Sequence, residues 1–287
     1  MASILVVGGT GPTGSAVCAA ARARGHEVRS LSRAVPGSSD SRVVAGVDYR
    51  ACDLYHAAAP ELDAHLAGVD VVIDCLNGVS HVAQAIFRIG AVQITDAAAR
   101  ADIKRVVVVS DVGCDQSDFA YYEAKTDQEG VYLDSPVPTT VVRFTVLYEQ
   151  VWEFATRAAR FRVMPTSDRA RLQPIDVADI AELIIDAAAD TGADEIRSYG
   201  GPEVESVRTL SRQWMAHTGR RCLLVPVPLI FAIGRYLRAG ANLVPSSRRG
   251  STTWQDWMNR TSPPHVPSMK PGCGREPGHG GHEPSAA

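Results

Sequence analysis

The chain opens on a buried-strand pattern that runs straight into a glycine-rich turn. Ile4-Leu5-Val6-Val7 is followed by Gly8-Gly9-Thr10-Gly11-Pro12-Thr13-Gly14, and the Ala-rich stretch beyond reads as a helix. Gly9, Gly11 and Gly14 fit G-x-G-x-x-G, while Gly8, Gly11 and Gly14 equally fit G-x-x-G-x-x-G. Both spacings serve the same physics. Glycines permit a tight turn and close approach of the backbone to a pyrophosphate. The helix N-terminus adds N–H donors and a favourable dipole. Pro12 falls in the first turn, where a missing N–H costs little. The strand before the loop and the helix after it are the context such a motif requires. Residues 8–14 are therefore expected against a dinucleotide.

The rest of the chain repeats this alternation. Apolar, β-branched runs at 4–7, 27–31, 69–75, 105–109 and 139–144 alternate with helical stretches at 14–24, 79–100 and 121–133. That order predicts βαβ units and a parallel sheet. Continuous runs such as VDVVIDC and RVVVVS suit strands buried on both faces. Further helices are expected at 173–189, with Asp176 near its start as a cap, and at 206–218, closed by Gly219. The prediction is an α/β Rossmann-type doubly wound sheet with a small, mostly helical C-terminal substrate lid. The single NAD(P)-binding unit spans 1–260. Its core is about 1–147 and 172–200, and its lid about 148–171 and 201–258. The Pro-, Gly-, Ser- and His-rich stretch 261–287 is expected to be a disordered tail.

Composition narrows the function. Apolar residues at 45% and charged residues at 21% exclude wholesale disorder. A net charge of −3 does not suit a chain that coats nucleic acid. No apolar run approaches the roughly 18 residues of a spanning helix. The six cysteines show no C-x-x-C pairing, so neither a disulfide framework nor a metal site is expected. Scattered thiols and an N-terminus without a basic, cleavable leader point to the cytoplasm. The expected partner is a small-molecule substrate, with the chain a monomer or homodimer.

The second strand bears on the choice of dinucleotide. An NAD site usually places an acid there, on the ribose 2′-OH. Here the strand ends Ser30-Leu31-Ser32-Arg33, with no carboxylate. The forked guanidinium of Arg33 suits a 2′-phosphate, so NADP(H) is preferred over NAD(H).

Four passages together carry a family resemblance. They are GGTGPTG at 8–14, RVVVVSDVG at 105–113, the stretch from Tyr121 to Glu149, and LQPIDVADIAELI at 172–184. Across about residues 3–258 the chain resembles the atypical short-chain dehydrogenase/reductase superfamily, in its NmrA-like NAD(P)H-binding branch. The resemblance implies that Asp53 meets the adenine amino group. It implies that Leu76-Asn77-Gly78 ends a strand over the cofactor, and that Phe144 and Thr145 lie near the nicotinamide. Tyr121-Tyr122-Glu123-Ala124-Lys125 then contains Y-x-x-x-K, with Ser110 as the accompanying serine. Tyr148 and Trp152 fall where the family builds its substrate pocket.

These residue types suit carbonyl reduction. A tyrosine can donate a proton to the developing oxyanion if its pKa is lowered, and a nearby ammonium lowers it. Tyr121 and Lys125 are at i and i+4 and share a helix face, although Tyr122 at i−3 from Lys125 competes. Lys125 is also expected to reach the nicotinamide ribose, and Ser110 to hold the substrate carbonyl. The reading is an NADPH-dependent reductase of a small carbonyl or related unsaturated compound. The alternatives are a non-catalytic NADP(H)-binding redox sensor, and an isomerase or dehydratase with tightly bound cofactor.

Overall fold

Strands that alternate their side chains between two apolar layers must be covered on both faces. In β1 (Ser3–Val7), Ile4 and Val6 enter one core layer, and Leu5 and Val7 enter the other. The computed structural model describes residues 1–37, 40–78, 80–228 and 230–261. From β1 the chain continues through α1 (Pro12–Ala23), β2 (Glu27–Ser32), β3 (Val47–Ala51), α2 (Ala59–Leu66), β4 (Val71–Asp74) and α3 (His81–Arg100). Then come β5 (Arg105–Asp111), α4 (Ala120–Leu133) and β6 (Thr139–Phe144).

After β6 the chain forms α5 (Tyr148–Ala159), β7 (Val163–Thr166) and β8 (Arg171–Leu172). It returns to the sheet as α6 (Val177–Ala188) and β9 (Glu195–Tyr199). It ends in β10 (Glu205–Ser206), α7 (Val207–Thr218), β11 (Leu223–Pro226), α8 (Ala232–Ala239) and α9 (Trp254–Arg260).

The main sheet is parallel throughout, in the order β3-β2-β1-β4-β5-β6-β9. The order reverses between β1 and β4, which opens a crevice at their carboxyl ends. Helices α1 and α6 cover one face, and α2, α3 and α4 the other. This is the predicted doubly wound Rossmann-type fold. Two features differ from expectation. Strands β3 and β9 and helix α2 were not predicted. Helix α6 starts at Val177 rather than 173, because Gln173–Asp176 runs extended and Asp176 caps the helix through Ala178 N at 3.0 Å.

The lid has its own core. Tyr148, Ala155, Met164, Leu210, Trp214, Trp254, Trp257 and Met258 are buried together. The rings of Trp254 and Trp257 stack with centroids 5.3 Å apart. Strand β7 pairs with β11 and β8 with β10, joining the two lid segments. Gly219 closes α7 in the left-handed conformation, as expected. No described helix is long and apolar enough to cross a membrane. Apart from Thr261, the expected disordered tail lies outside the described residues.

Candidate functional site

The glycine loop sits in the β1/β4 crevice. Gly8 is left-handed, at φ 74°, and its N–H donates to Leu31 O at 2.8 Å. A β-carbon at Gly14 would stand 2.3 Å from Gly8 O, and one at Gly9 would stand 2.3 Å from Ser30 Oγ. Those two glycines therefore let α1 and β2 pack against the loop. Gly11 caps α1 and offers no side chain, so the first-turn N–H groups are left for a ligand.

A cavity of about 520 Å³ extends from this loop. Gly8, Thr10, Gly11, Pro12 and Thr13 line one end, and Leu76, Asn77 and Gly78 line the floor. Arg33 and Asp53 lie at the rim, both exposed. Both oxygens of Asp53 are engaged, Oδ1 by Tyr55 N at 3.1 Å and Oδ2 by His56 Nδ1 at 2.9 Å. These bonds and the Arg33 charge hold its carboxyl below the usual range. No carboxylate of β2 lines the cavity. The cradle, the free helix terminus and the Arg33 guanidinium at the rim fit a dinucleotide.

The expected reaction centre is placed differently. Ser110, Tyr121 and Lys125 are buried, and none of them lines the cavity. The Tyr121 hydroxyl lies 2.9 Å from Asp111 Oδ2 and 3.0 Å from Asn77 Oδ1, one layer behind the wall. Burial and the neighbouring Asp111 push its pKa up, opposite to the expected direction. Burial likewise raises Tyr122.

Lys125 donates to Val109 O at 2.8 Å, Gln128 Oε1 at 2.7 Å and Leu76 O at 3.3 Å, and lies over the Phe87 ring. Its ammonium therefore holds the ends of β4 and β5 together beneath the cavity. Gln128 and Tyr132 donate in turn to buried Asp74, whose carboxyl is raised by desolvation. Ser110 Oγ lies 3.8 Å from Cys114 Sγ.

Phe144 and Thr145 also lie behind the wall. Phe144 is in the sheet core, and the Thr145 hydroxyl donates to Gln173 O. Tyr148 and Trp152 line no described cavity. Tyr148 stacks on Trp254 and donates to Thr252 O at 2.7 Å, and Trp152 packs edge-on against Trp214. Their apolar area is used to close the lid core.

Sequence reasoning missed the opposite side of the same helix turn. Leu147, Glu149, Gln150 and Glu153 form the cavity wall facing the glycine loop. Glu149 Oε2 is buried with no hydrogen-bond partner. Desolvation, together with the charge of Asp176, holds this carboxyl above the usual range, and Trp257 offsets part of the rise. The available signal was a carboxylate directly after the sixth strand, in the first turn of its helix. Separately, Cys52, Glu61 and His65 bring one ligand atom each within 4.8 Å of one another. Burial, helped by Glu61, pushes the Cys52 thiol up to about 11, so it is protonated.

Fold and cavity together define a Rossmann-type dinucleotide-binding protein. The chain belongs to the NAD(P)H-binding family, whose sequence model matches residues 8–191. Solved structures agree on the fold. The NADPH complex of an NADPH-dependent quinone oxidoreductase from Escherichia coli is 15% identical, with a TM-score of 0.73 over 89% of this chain and 98% of that one. The Bordetella bronchiseptica enzyme WbmG in complex with NAD is 16% identical, with a TM-score of 0.69 over 89% and 91%. A Thermus thermophilus UDP-glucose 4-epimerase with NAD is 19% identical, with a TM-score of 0.66 over 79% and 86%. No curated protein sequence matches the chain.

Proposed function

We propose that the protein is an NADPH-dependent reductase of a small carbonyl or related unsaturated compound. The observation that carries this reading is the single cavity that joins the glycine loop and Arg33 to the carboxyl of Glu149, whose Oε2 is buried. Residues 8–14 and the α1 N-terminus would hold the pyrophosphate, and Arg33 the 2′-phosphate. When bound, the cofactor supplies hydride to the carbonyl carbon. Glu149 carries a proton at a pH where an exposed carboxylate does not, so it suits the general acid that protonates the carbonyl oxygen. Lys125 and Asn77 position the cavity floor. The NADPH-dependent oxidoreductase among the structural neighbours supports this reading, and the NAD-bound neighbours mark the competing cofactor.

A second reading is a redox sensor that binds NADP(H) without turnover. The burial of Ser110, Tyr121 and Lys125 favours it. The test is NADPH consumption against a panel of aldehydes, ketones and quinones, with cofactor binding followed separately by NADPH fluorescence. Turnover that Glu149→Gln abolishes while binding persists supports the reductase. Binding without consumption of NADPH by any compound supports the sensor. Absence of binding defeats both.

A further inference from the structure

The lid holds a second cavity of about 320 Å³. Val151, Phe154, Ala155, Ala170, Leu172 and Leu210 are among its lining residues, and no charged residue lines it among those described. Its volume lies within the range of small-molecule sites, about 300–1,000 Å³. One described residue, Gln150, lines both cavities.

The chemistry of Gln150 is fixed by its neighbour. Its Oε1 accepts from Leu147 N at 2.9 Å. A backbone N–H can only donate, so the amide oxygen must be the atom that faces it. The amide N–H2 remains as the group Gln150 can offer a ligand at the junction. A second polar group lies in the apolar cavity itself. Thr166 is fully buried, lines the cavity, and its Oγ1 has no hydrogen-bond partner. A buried hydroxyl without a partner calls for one, and a ligand atom supplies it.

We propose that this second cavity binds the body of an apolar carbonyl compound. Its carbonyl oxygen accepts from Gln150 Nε2 where the two cavities meet, and a further polar atom of the compound meets Thr166. The assignment rests on the reductase reading of the larger cavity and names its substrate class. A nucleotide diphosphate does not suit this lobe, because a desolvated phosphate needs cationic or helix-terminal partners.

The test uses the full chain without cofactor, titrated with prodan, a dialkylaminonaphthyl ketone that emits further to the blue in apolar surroundings. Blue-shifted, saturable binding is expected. Ala155→Leu fills the cavity and weakens binding about tenfold, as roughly 1.4 kcal/mol implies. Gln150→Glu keeps an acceptor for Leu147 N but loses the donor, and weakens binding by a similar factor. UDP-glucose does not displace the probe. Circular-dichroism melting checks that each variant folds. Thr166→Val is nearly isosteric and stands in if Ala155→Leu does not fold, with a several-fold loss expected. Unchanged affinity in a folded cavity variant overturns the proposal, as does displacement by UDP-glucose. NADPH fluorescence is measured in parallel. Loss of NADPH binding alone breaks the reductase reading, and loss of prodan binding alone breaks the pocket assignment.

Discussion

The phenolic oxygen of Tyr121 stands 2.9 Å from Oδ2 of Asp111, a partner that opposes loss of the phenolic proton. We therefore propose Tyr121 as a structural donor rather than the acid of the reaction. Tyr121→Phe is expected to cost about 1–3 kcal/mol of stability, because Asp111 loses a buried partner. Turnover of NADPH should change only a few-fold. A loss of about a hundredfold or more, the size of a general-acid effect, would return Tyr121 to the reaction centre.

Glu149 carries the pH prediction. Folding raises its pKa above the unfolded value of about 4.3, so the folded chain holds the proton more tightly. The resulting stabilisation is complete below the unfolded value and is lost as pH rises through the folded one. Activity should fall over the same upper window. Glu149→Gln should lower turnover about a hundredfold or more, while leaving the protein at least as stable at pH 8. Melting curves and initial rates measured across pH check both halves. A variant that is less stable at pH 8 yet fully active would contradict the assignment.

On the proposed reading, Arg33 sets cofactor preference. Arg33→Ala should weaken NADPH about 10- to 100-fold, the loss of a charge-assisted contact of about 1.5–3 kcal/mol. NADH should bind as before. Fluorescence titration of both nucleotides decides it, and equal losses for the two would remove the phosphate contact.

The glycines of the loop are not equivalent. Gly14→Ala forces a β-carbon to 2.3 Å from Gly8 O, whereas at Gly11 the nearest approach is 3.3 Å. Gly14→Ala should abolish NADPH binding and cost about 1–3 kcal/mol in urea unfolding. Gly11→Ala should lose affinity with little loss of stability.

Lys125 should behave as a beam under the cavity floor. Lys125→Met leaves Asp74 and two strand-end carbonyls without their charged neighbour. A destabilisation of about 1–3 kcal/mol is expected from denaturant unfolding, as buried acceptors lose their donor, with NADPH affinity reduced through the distorted floor. A stable variant with normal affinity would show that the buried network is dispensable.

The central strands were legible because burial on both faces writes a continuous apolar run, as in Val106–Val109. Strand β3 (VDYRA) and strand β9 (EIRSY) sit at the sheet edges, where few residues are buried, and their polar mixtures carry no such run. The glycine loop was legible because close backbone packing leaves few substitutes. The proposed reaction centre was less so. Tyr121 and Lys125 do share a buried helix face, but spacing cannot say whether a lysine meets a phenol or strand-end carbonyls. The resemblance puts the rings of Tyr148 and Trp152 in the substrate pocket. Those rings turn into the lid core, and the same turn presents Glu149 and Gln150 to the cavity.

The lid is stitched to the sheet rather than appended to it. The chain crosses near Leu147, returns near Gln173 and leaves again near Gly200. The Gln173 amide meets Gly201 O at 2.9 Å and Val244 N at 2.9 Å, binding the later crossings together. Bridges Leu147–Ile175 and Gly200–Arg248 add further fastenings at the seam. Grafting one lid segment from a relative would therefore orphan the strand pairings of the other. New pockets on this scaffold are reachable by changing side chains within the lid, or by transplanting both segments at once, but not by exchanging a terminal cassette.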